Sequence, residues 1–238
     1  MWEVLILIGV IVGLHWWEYS SDVQEYTFAQ PATLDRHDEL RGLLSEKTPL
    51  AVEIGPLPWR PEVVDKSAWT VETDSGIQNA SAWVTQTPRK SITDGAALAE
   101  EMGLAAGLVE IDSARQWWWL PQIRDCCVNI LAPGEVQGFQ WIRAERMWIG
   151  CSHGGPLTLW LVHSRYRRYL TGFEGDPWSM TVAEVPWIGR IQYIEVTVKP
   201  GWCIGLPAHW GFAVRSSPDS ESWIWSGQQQ SVLSMYLP

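Results

Sequence analysis

Residues 196–214, VTVKPGWCIGLPAHWGFAV, decide the fold of this chain. They read as a strand, a Lys-Pro-Gly turn, a second apolar strand and, after a proline, an aromatic-rich third segment. Apolar and polar side chains alternate from Tyr193 to Val198, so one face of the first strand should pack in a core. The stretch therefore predicts three consecutive short strands of an antiparallel β structure.

Short apolar segments separated by turn residues continue this pattern towards the N-terminus. One helix is predicted ahead of them, over Asp94–Leu108, because this segment is rich in good helix formers. The segment Ser216–Gly227 is predicted to be a polar loop. Many short strands behind one helix indicate a mainly β sandwich or barrel. The further strands predicted are Leu50–Ile54, Cys127–Leu131, Phe139–Arg143, Arg146–Ile149, Leu157–His163, Trp202–Leu206, Phe212–Arg215 and Val232–Leu237.

Composition narrows the class of protein. A chain of 238 residues accommodates one sizeable β domain. Its net charge of −10 argues against a nucleic-acid-binding protein, because phosphate binding relies on a positive surface. Eighteen tryptophans suit cores, interfaces and membrane belts alike, so their number does not choose among these roles.

The four cysteines, Cys126, Cys127, Cys151 and Cys203, are predicted to be free thiols. They have no Cys-x-x-Cys spacing, so a structural zinc site is not expected. Each lies in an apolar stretch, which favours buried thiols over disulfides and a mostly reducing compartment for the globular part.

An apolar N-terminal segment predicts a membrane anchor. Val4–Leu14 is uninterrupted apolar sequence, with tryptophans on both sides of it. Residues 2–17 as a helix would extend roughly 24 Å, against roughly 30 Å of bilayer hydrocarbon, and local thinning can absorb the difference. A cleaved signal peptide and a buried core element are the alternatives. The side of the membrane is undetermined, because the nearest basic residue is Arg36.

The chain is expected to have three parts. Residues 1–17 form the membrane anchor, residues 18–48 form an acidic stalk or connecting arm, and residues 49–238 form the β-barrel domain. The stalk carries far more acidic than basic residues, and its leucines could support a short helix.

Three features of the closing half point to one family. The first is Met147–Gly150, followed by a Gly-rich turn and Leu157–Leu159. The second is the strand, Pro-Gly turn and strand of Tyr193–Leu206. The third is Leu206–Val214, with its proline, aromatic pair, histidine and valine.

These features resemble the cupin-like branch of the JumonjiC superfamily. The layout of the whole chain is similar to that of membrane-anchored, Trp-rich cupin-like proteins of large DNA viruses. The resemblance implies a mainly β fold, a double-stranded β-helix (a cupin-like jelly-roll barrel) with a few flanking helices and an N-terminal transmembrane or membrane-anchor helix.

Active members of this superfamily are oxygenases that depend on Fe(II) and 2-oxoglutarate. Their iron is held by a His-x-Asp or His-x-Glu pair on one strand and by a distant histidine. The resemblance places the paired ligands at Trp160 and Val162 and the distant ligand at Phe212, and none of these side chains binds iron. It implies a barrel filled by these three side chains, with no catalytic residue and no cofactor.

A metal site rebuilt from shifted ligands is the alternative. His153, His163, His209 and Cys151 are close in sequence to the same strands and could serve an Fe(II)/2-oxoglutarate oxygenase or another metalloenzyme. His209 is three residues from Phe212, which would put the two on opposite faces of a regular strand. We expect these histidines to be solvent-facing or satisfied within the core.

Arg165, Arg167 and Arg168 form a basic tract with Tyr166 and Tyr169. One interpretation is an anion patch for phosphate, lipid head groups or an acidic partner. The other is a solvated segment held by cation–π contacts.

The sequence as a whole favours a non-catalytic cupin-like barrel with a structural or interaction role. It would be bound to a membrane through residues 2–17, and a protein partner or a homo-oligomer stays open. A module that binds lipid or sugar between its tryptophans is a further alternative.

Overall fold

The structure, a computed structural model, describes residues 2–20, 27–29, 43, 47–53, 70–73, 76–79, 82, 95–101, 104 and 122–231. Within these ranges a long helix, α1 (Trp2–Ser20), precedes a body made of antiparallel strands. The predicted helix at 94–108 is confirmed over α2 (Gly95–Glu101), and a one-turn helix, α3 (Arg167–Leu170), follows β7. The strands are β1 (Leu50–Glu53), β2 (Thr70–Thr73), β3 (Gly76–Asn79), β4 (Gln122–Leu131), β5 (Val136–Trp141), β6 (Arg146–Gly154), β7 (Leu157–Val162), β8 (Tyr193–Val198), β9 (Trp202–Pro207), β10 (Gly211–Ser216) and β11 (Ser222–Ser231).

The strands from β4 to β11 form two facing sheets. One sheet has the order β1-β9-β6-β11-β4 and the other the order β5-β10-β7-β8, while β2 and β3 form a separate hairpin. The chain changes sheets at every connection from β4 to β11 except between β7 and β8. Eight antiparallel strands that alternate between two sheets in this way form a jelly roll. The predicted mainly β jelly-roll architecture is confirmed.

The predicted loop at 216–227 is wrong for most of its length. Residues from Ser222 onward belong to β11, which pairs with β4 on one side and β6 on the other. Its serines and glutamines resemble loop residues in the sequence, yet Ile224 packs in the core and Trp223 and Trp225 are buried. The predicted strand at 232–237 lies outside the described residues.

Part of the predicted stalk packs on the barrel. The Ala29 N–H donates to the Pro49 carbonyl at 2.9 Å, and the Ala51 N–H donates to the Ala29 carbonyl at 2.9 Å. Phe28 packs against the core between the sheets. Most of the remaining stalk lies outside the described residues.

Tryptophan–glycine pairs cover the outer face of the five-stranded sheet. Trp148 of β6 lies opposite Gly205 of β9, and Trp225 of β11 lies opposite Gly150 of β6. A Cβ atom on Gly205 would lie 2.8 Å from the Trp148 ring, and one on Gly150 would overlap the Trp225 ring. Glycine therefore leaves the space in which these indoles lie flat, which accounts for part of the tryptophan content as packing.

The four cysteines are free thiols. Cys151 and Cys203 are buried as predicted, and burial raises the pKa of the Cys203 thiol. The prediction of burial is wrong for Cys126, which is half-buried, and for Cys127, which is exposed. Both lie on β4, an edge strand of the five-stranded sheet, which gives less cover than a central strand.

Candidate functional site

The space between the two sheets is filled with apolar side chains. They come from β7, β8 and β10 of one sheet and from β6, β9 and β11 of the other, and they form one continuous cluster. Each large apolar side chain that leaves water in this way contributes about 1.5–3 kcal/mol to folding. The members include Met147, Ile149, Cys151, Leu157, Leu159, Leu161, Val196, Val198, Ile204, Leu206, Trp210, Phe212, Val214 and Ile224.

The three positions assigned to a degenerate iron triad do not meet in this interior. Phe212 lies opposite Leu161 across β10 and β7, and both belong to the inter-sheet core. Trp160 and Val162 flank Leu161 in the strand, so they point to the opposite face of the sheet. Val162 belongs to a second apolar cluster outside the barrel. The expectation that the three side chains fill one interior is therefore wrong, whereas their equivalence to the family's ligand positions stays a prediction.

Trp160 is part of an outer aromatic cluster on the four-stranded sheet. Its ring lies 4.8 Å from that of Trp178 and 4.7 Å from that of Tyr193, measured between centroids. Its indole N–H donates to Oε2 of Glu195 at 2.6 Å. The guanidinium carbon of Arg215 lies 4.7 Å from the centre of the Trp178 ring. Two charged groups therefore border a cluster of tilted aromatic rings.

Histidines 163 and 209, proposed as alternative metal ligands, have other roles in the structure. His163 is buried, and its Nδ1 accepts from the Arg165 N–H at 3.2 Å, which caps the 3-10 turn Ser164–Tyr166. His209 has a φ of 68° and lies in the turn before β10, so the expectation that it lies on a regular strand is wrong. Among residues other than glycine, histidine adopts this left-handed backbone conformation several-fold more often than most. Its Nε2 lies 3.2 Å from the Tyr19 carbonyl, to which it donates.

Cys151 and His153, the other two alternative ligands, lie on β6. The Cys151 thiol points into the core and donates to the Gly155 carbonyl, with Sγ and O 3.4 Å apart. His153 lies opposite Trp223 in the ladder between β6 and β11. Among the described residues, no three His, Cys, Asp or Glu side chains are grouped so that they could hold a metal ion.

The arginines of the predicted anion patch lie exposed on the short helices after β7. Arg165 lies in the 3-10 turn, and Arg167 and Arg168 begin α3. Each guanidinium carbon lies 4.7 to 5.6 Å from the centre of an aromatic ring, the rings being those of Tyr166, Trp141 and Tyr169 respectively. Cation–π contacts therefore hold these side chains while their charge stays accessible to water.

The C-terminal end of α1 is docked on the barrel through Tyr19. This side chain is 7% exposed, and its hydroxyl donates to the Arg143 carbonyl at 2.7 Å. Its ring lies edge-on to that of His209, with centroids 4.7 Å apart. Burial raises the pKa of Tyr19 and the Glu145 carboxylate adds to the rise, whereas the positive charges of Arg143 and Arg167 oppose it.

A second contact, one helical turn earlier, involves His15. Its Nε2 lies 3.3 Å from Oε1 of Glu145 and 2.9 Å from Oγ of Ser231. The Ser231 N–H donates to the same Glu145 oxygen at 3.0 Å. Sequence reasoning missed this docking site. The sequence did contain one indication of this site. His15 and Tyr19 are four residues apart, which puts two polar groups on one face at the end of an apolar helix.

The rest of α1 presents apolar side chains to solvent. Leu5 is 69% exposed and Trp17 is 74% exposed, and the four consecutive residues Val4 to Leu7, which cover all sides of the helix, are all exposed, whereas Ile11 is half-buried. Apolar surface all round a helix is typical of one that is buried in lipid or in another protein. Within the described residues, no helix combines the length and the apolarity that crossing a membrane demands.

Comparison with known proteins adds distant similarity to solved structures. No protein-family model and no curated protein matches the chain. Among solved structures, the chain is similar to the cupin domain of CENP-C from Drosophila melanogaster, with 8% sequence identity and a TM-score of 0.29. The similarity covers 42% of this chain and 57% of that one. At this level it carries no argument about function, and the fold assignment stands on the order of the strands.

Replacing Tyr193 with Phe is expected to stabilise the protein. Within the described residues the Tyr193 hydroxyl has no hydrogen-bond partner although it is buried, and burial raises the pKa of Tyr193 to about 12. An unpaired buried polar group costs about 1–3 kcal/mol, so its removal should raise the free energy of unfolding by about 1 kcal/mol at pH 7. Urea unfolding followed by tryptophan fluorescence measures this.

Ionisation of the same hydroxyl is expected to lower the stability of the protein at alkaline pH. The folded-state pKa of Tyr193 is raised above the unfolded value of about 10, so ionisation of this group costs no stability below pH 10 and lowers stability as pH rises through 12. The Tyr193→Phe protein should lose less stability between these pH values than the unmodified protein. At pH 7, Tyr19→Phe is the control for the change in stability, since it removes a made hydrogen bond and should lower stability. A loss of stability between pH 10 and pH 12 that is as large in Tyr193→Phe as in the unmodified protein would contradict this account.

Proposed function

We propose that the protein is a non-catalytic cupin-like barrel with a structural or interaction role, held at a lipid membrane by α1. The observation that carries this proposal is a helix with exposed apolar side chains on every side, docked by one end on a folded barrel. Water is an unfavourable surrounding for such a surface, because each large apolar side chain gains about 1.5–3 kcal/mol on leaving it.

The docking contacts support a tether that also orients the barrel. Tyr19 and His15 are one turn apart and bind groups of the barrel that are far away in sequence. The exposed tryptophans at positions 16 and 17 lie just beyond the apolar run, between the docking residues His15 and Tyr19. Tryptophan is enriched at membrane–water interfaces, so these side chains suit the boundary between lipid and barrel.

The filled interior supports a role without metal chemistry. The buried side chains of the cluster between the sheets are apolar, whereas a facial iron triad needs imidazole and carboxylate groups. A fold of this type has the catalytic activity found in other proteins of the same fold only where the residues of the active site are present.

Membrane binding is tested by flotation of the full chain with phosphatidylcholine vesicles. The protein should float with the vesicles, and the double substitution Ile8→Glu and Val10→Glu should leave it at the bottom of the gradient, because two carboxylates oppose entry into hydrocarbon. Val182→Glu is the matched control, since Val182 is exposed on the barrel, and it should float like the unmodified protein. Sedimentation of the unmodified protein, or flotation of the double variant, would refute the tether.

Absence of an iron centre is tested by metal analysis after anaerobic incubation with Fe(II) or Mn(II) and 2-oxoglutarate. We expect far less than one metal ion per chain and, once the Fe(II)-treated protein is exposed to O₂, no consumption of 2-oxoglutarate. His209→Ala should leave the metal content unchanged, because the His209 ring binds the end of α1. One tightly bound ion per chain that disappears in His163→Ala or His209→Ala would instead establish a metalloenzyme with shifted ligands.

A further inference from the structure

Two exposed arginines lie where α1 meets the barrel. The backbone of Arg143 holds Tyr19 through its carbonyl, while the Arg143 side chain is exposed. Arg167 comes from a different part of the chain, and its guanidinium carbon lies 5.6 Å from the centre of the Trp141 ring, two residues before Arg143. The contacts of Tyr19 and Trp141 therefore bring both arginines to the base of α1.

These charges are available to a ligand. Within the part of the chain that the structure describes, neither Arg143 nor Arg167 has a carboxylate at ion-pair distance. One carboxylate at this base, that of Glu145, is bound by His15 and by the Ser231 N–H. The protein carries a net charge of −10, so the positive charge of Arg143 and Arg167 is opposite in sign to the overall charge of the protein.

The level of the two arginines along the helix axis matches that of lipid head groups. Tyr19 is five residues beyond Leu14, the last residue of the apolar run, which corresponds to about 7.5 Å along a helix. The polar layer on each side of a bilayer is about 5–8 Å deep. With the apolar run in hydrocarbon and the tryptophans at the interface, Tyr19 and its neighbours lie among the phosphates.

We propose that Arg143 and Arg167 form a binding surface for the head groups of anionic phospholipids at the base of α1. This inference rests on the proposed membrane tether. Continuity with α1 favours lipid over an acidic protein partner, because the helix delivers the arginines to a head-group layer. Each basic side chain near an anionic membrane surface strengthens binding by about fivefold, and salt weakens the effect.

The test uses the full chain in phosphatidylcholine nanodiscs that contain a trace of spin-labelled phosphatidylserine or spin-labelled phosphatidylcholine. Electron paramagnetic resonance measures the fraction of each label that the protein immobilises. We expect phosphatidylserine to be preferred, and we expect Arg143→Gln and Arg167→Gln each to reduce the preference by up to about fivefold.

Three controls define the result. Arg143→Lys and Arg167→Lys keep the charge and should keep most of the preference. Arg190→Gln should change nothing, since Arg190 is an exposed arginine that lies over Trp187 instead of at the base of α1. Unchanged tryptophan fluorescence and circular dichroism verify that each variant is folded.

The failures of the two proposals are distinguishable. If the protein stays in nanodiscs but immobilises both labels equally, the proposed binding surface for anionic lipids is refuted and the membrane tether is not. The same holds if the preference for phosphatidylserine survives in the Arg143→Gln, Arg167→Gln double variant. Failure of the unmodified protein to stay with nanodiscs overturns both.

Discussion

The apolar contact between the two sheets holds every other feature in place. Leu161 and Phe212, opposite each other on neighbouring strands, are both turned into this contact. Because side chains alternate along a strand, the same arrangement turns Trp160 and Val162 outward. The inner face of the barrel thus provides stability, while contacts with surroundings are left to the outer faces and the ends.

At the end of the barrel on which α1 docks, each residue has a distinct role. Tyr19 and His15 fix the helix, His209 closes the contact from a left-handed turn, and Arg143 and Arg167 add positive charge beside it. Apolar helix, interfacial tryptophans and cationic base follow one another along a single axis. This order matches the layers of a lipid leaflet, and it is the basis on which we propose that the barrel lies at a membrane surface.

The sequence predicted the strands with regular alternation well, and β8 matches its predicted bounds Tyr193–Val198. It failed for β11, because Gln228 and Gln229 are polar although the strand lies between β4 and β6. It also failed to predict that Phe212 and Trp160 lie on opposite faces of the sheet. That result depends on the register between strands, which one sequence does not reveal. The docking of Tyr19 on Arg143 joins residues 124 positions apart, so the local spacing of His15 and Tyr19 could indicate a polar helix face but not the partner that this face binds.

Hydrogen–deuterium exchange of the full chain, with and without phosphatidylcholine vesicles, measures the central claim most directly. The account predicts that vesicles slow exchange at amides 4–14, where α1 would leave water, and leave exchange in strands β6 to β11 unchanged. Equal exchange of α1 in both conditions would contradict it. Protection in the barrel strands without protection in α1 would contradict it as well.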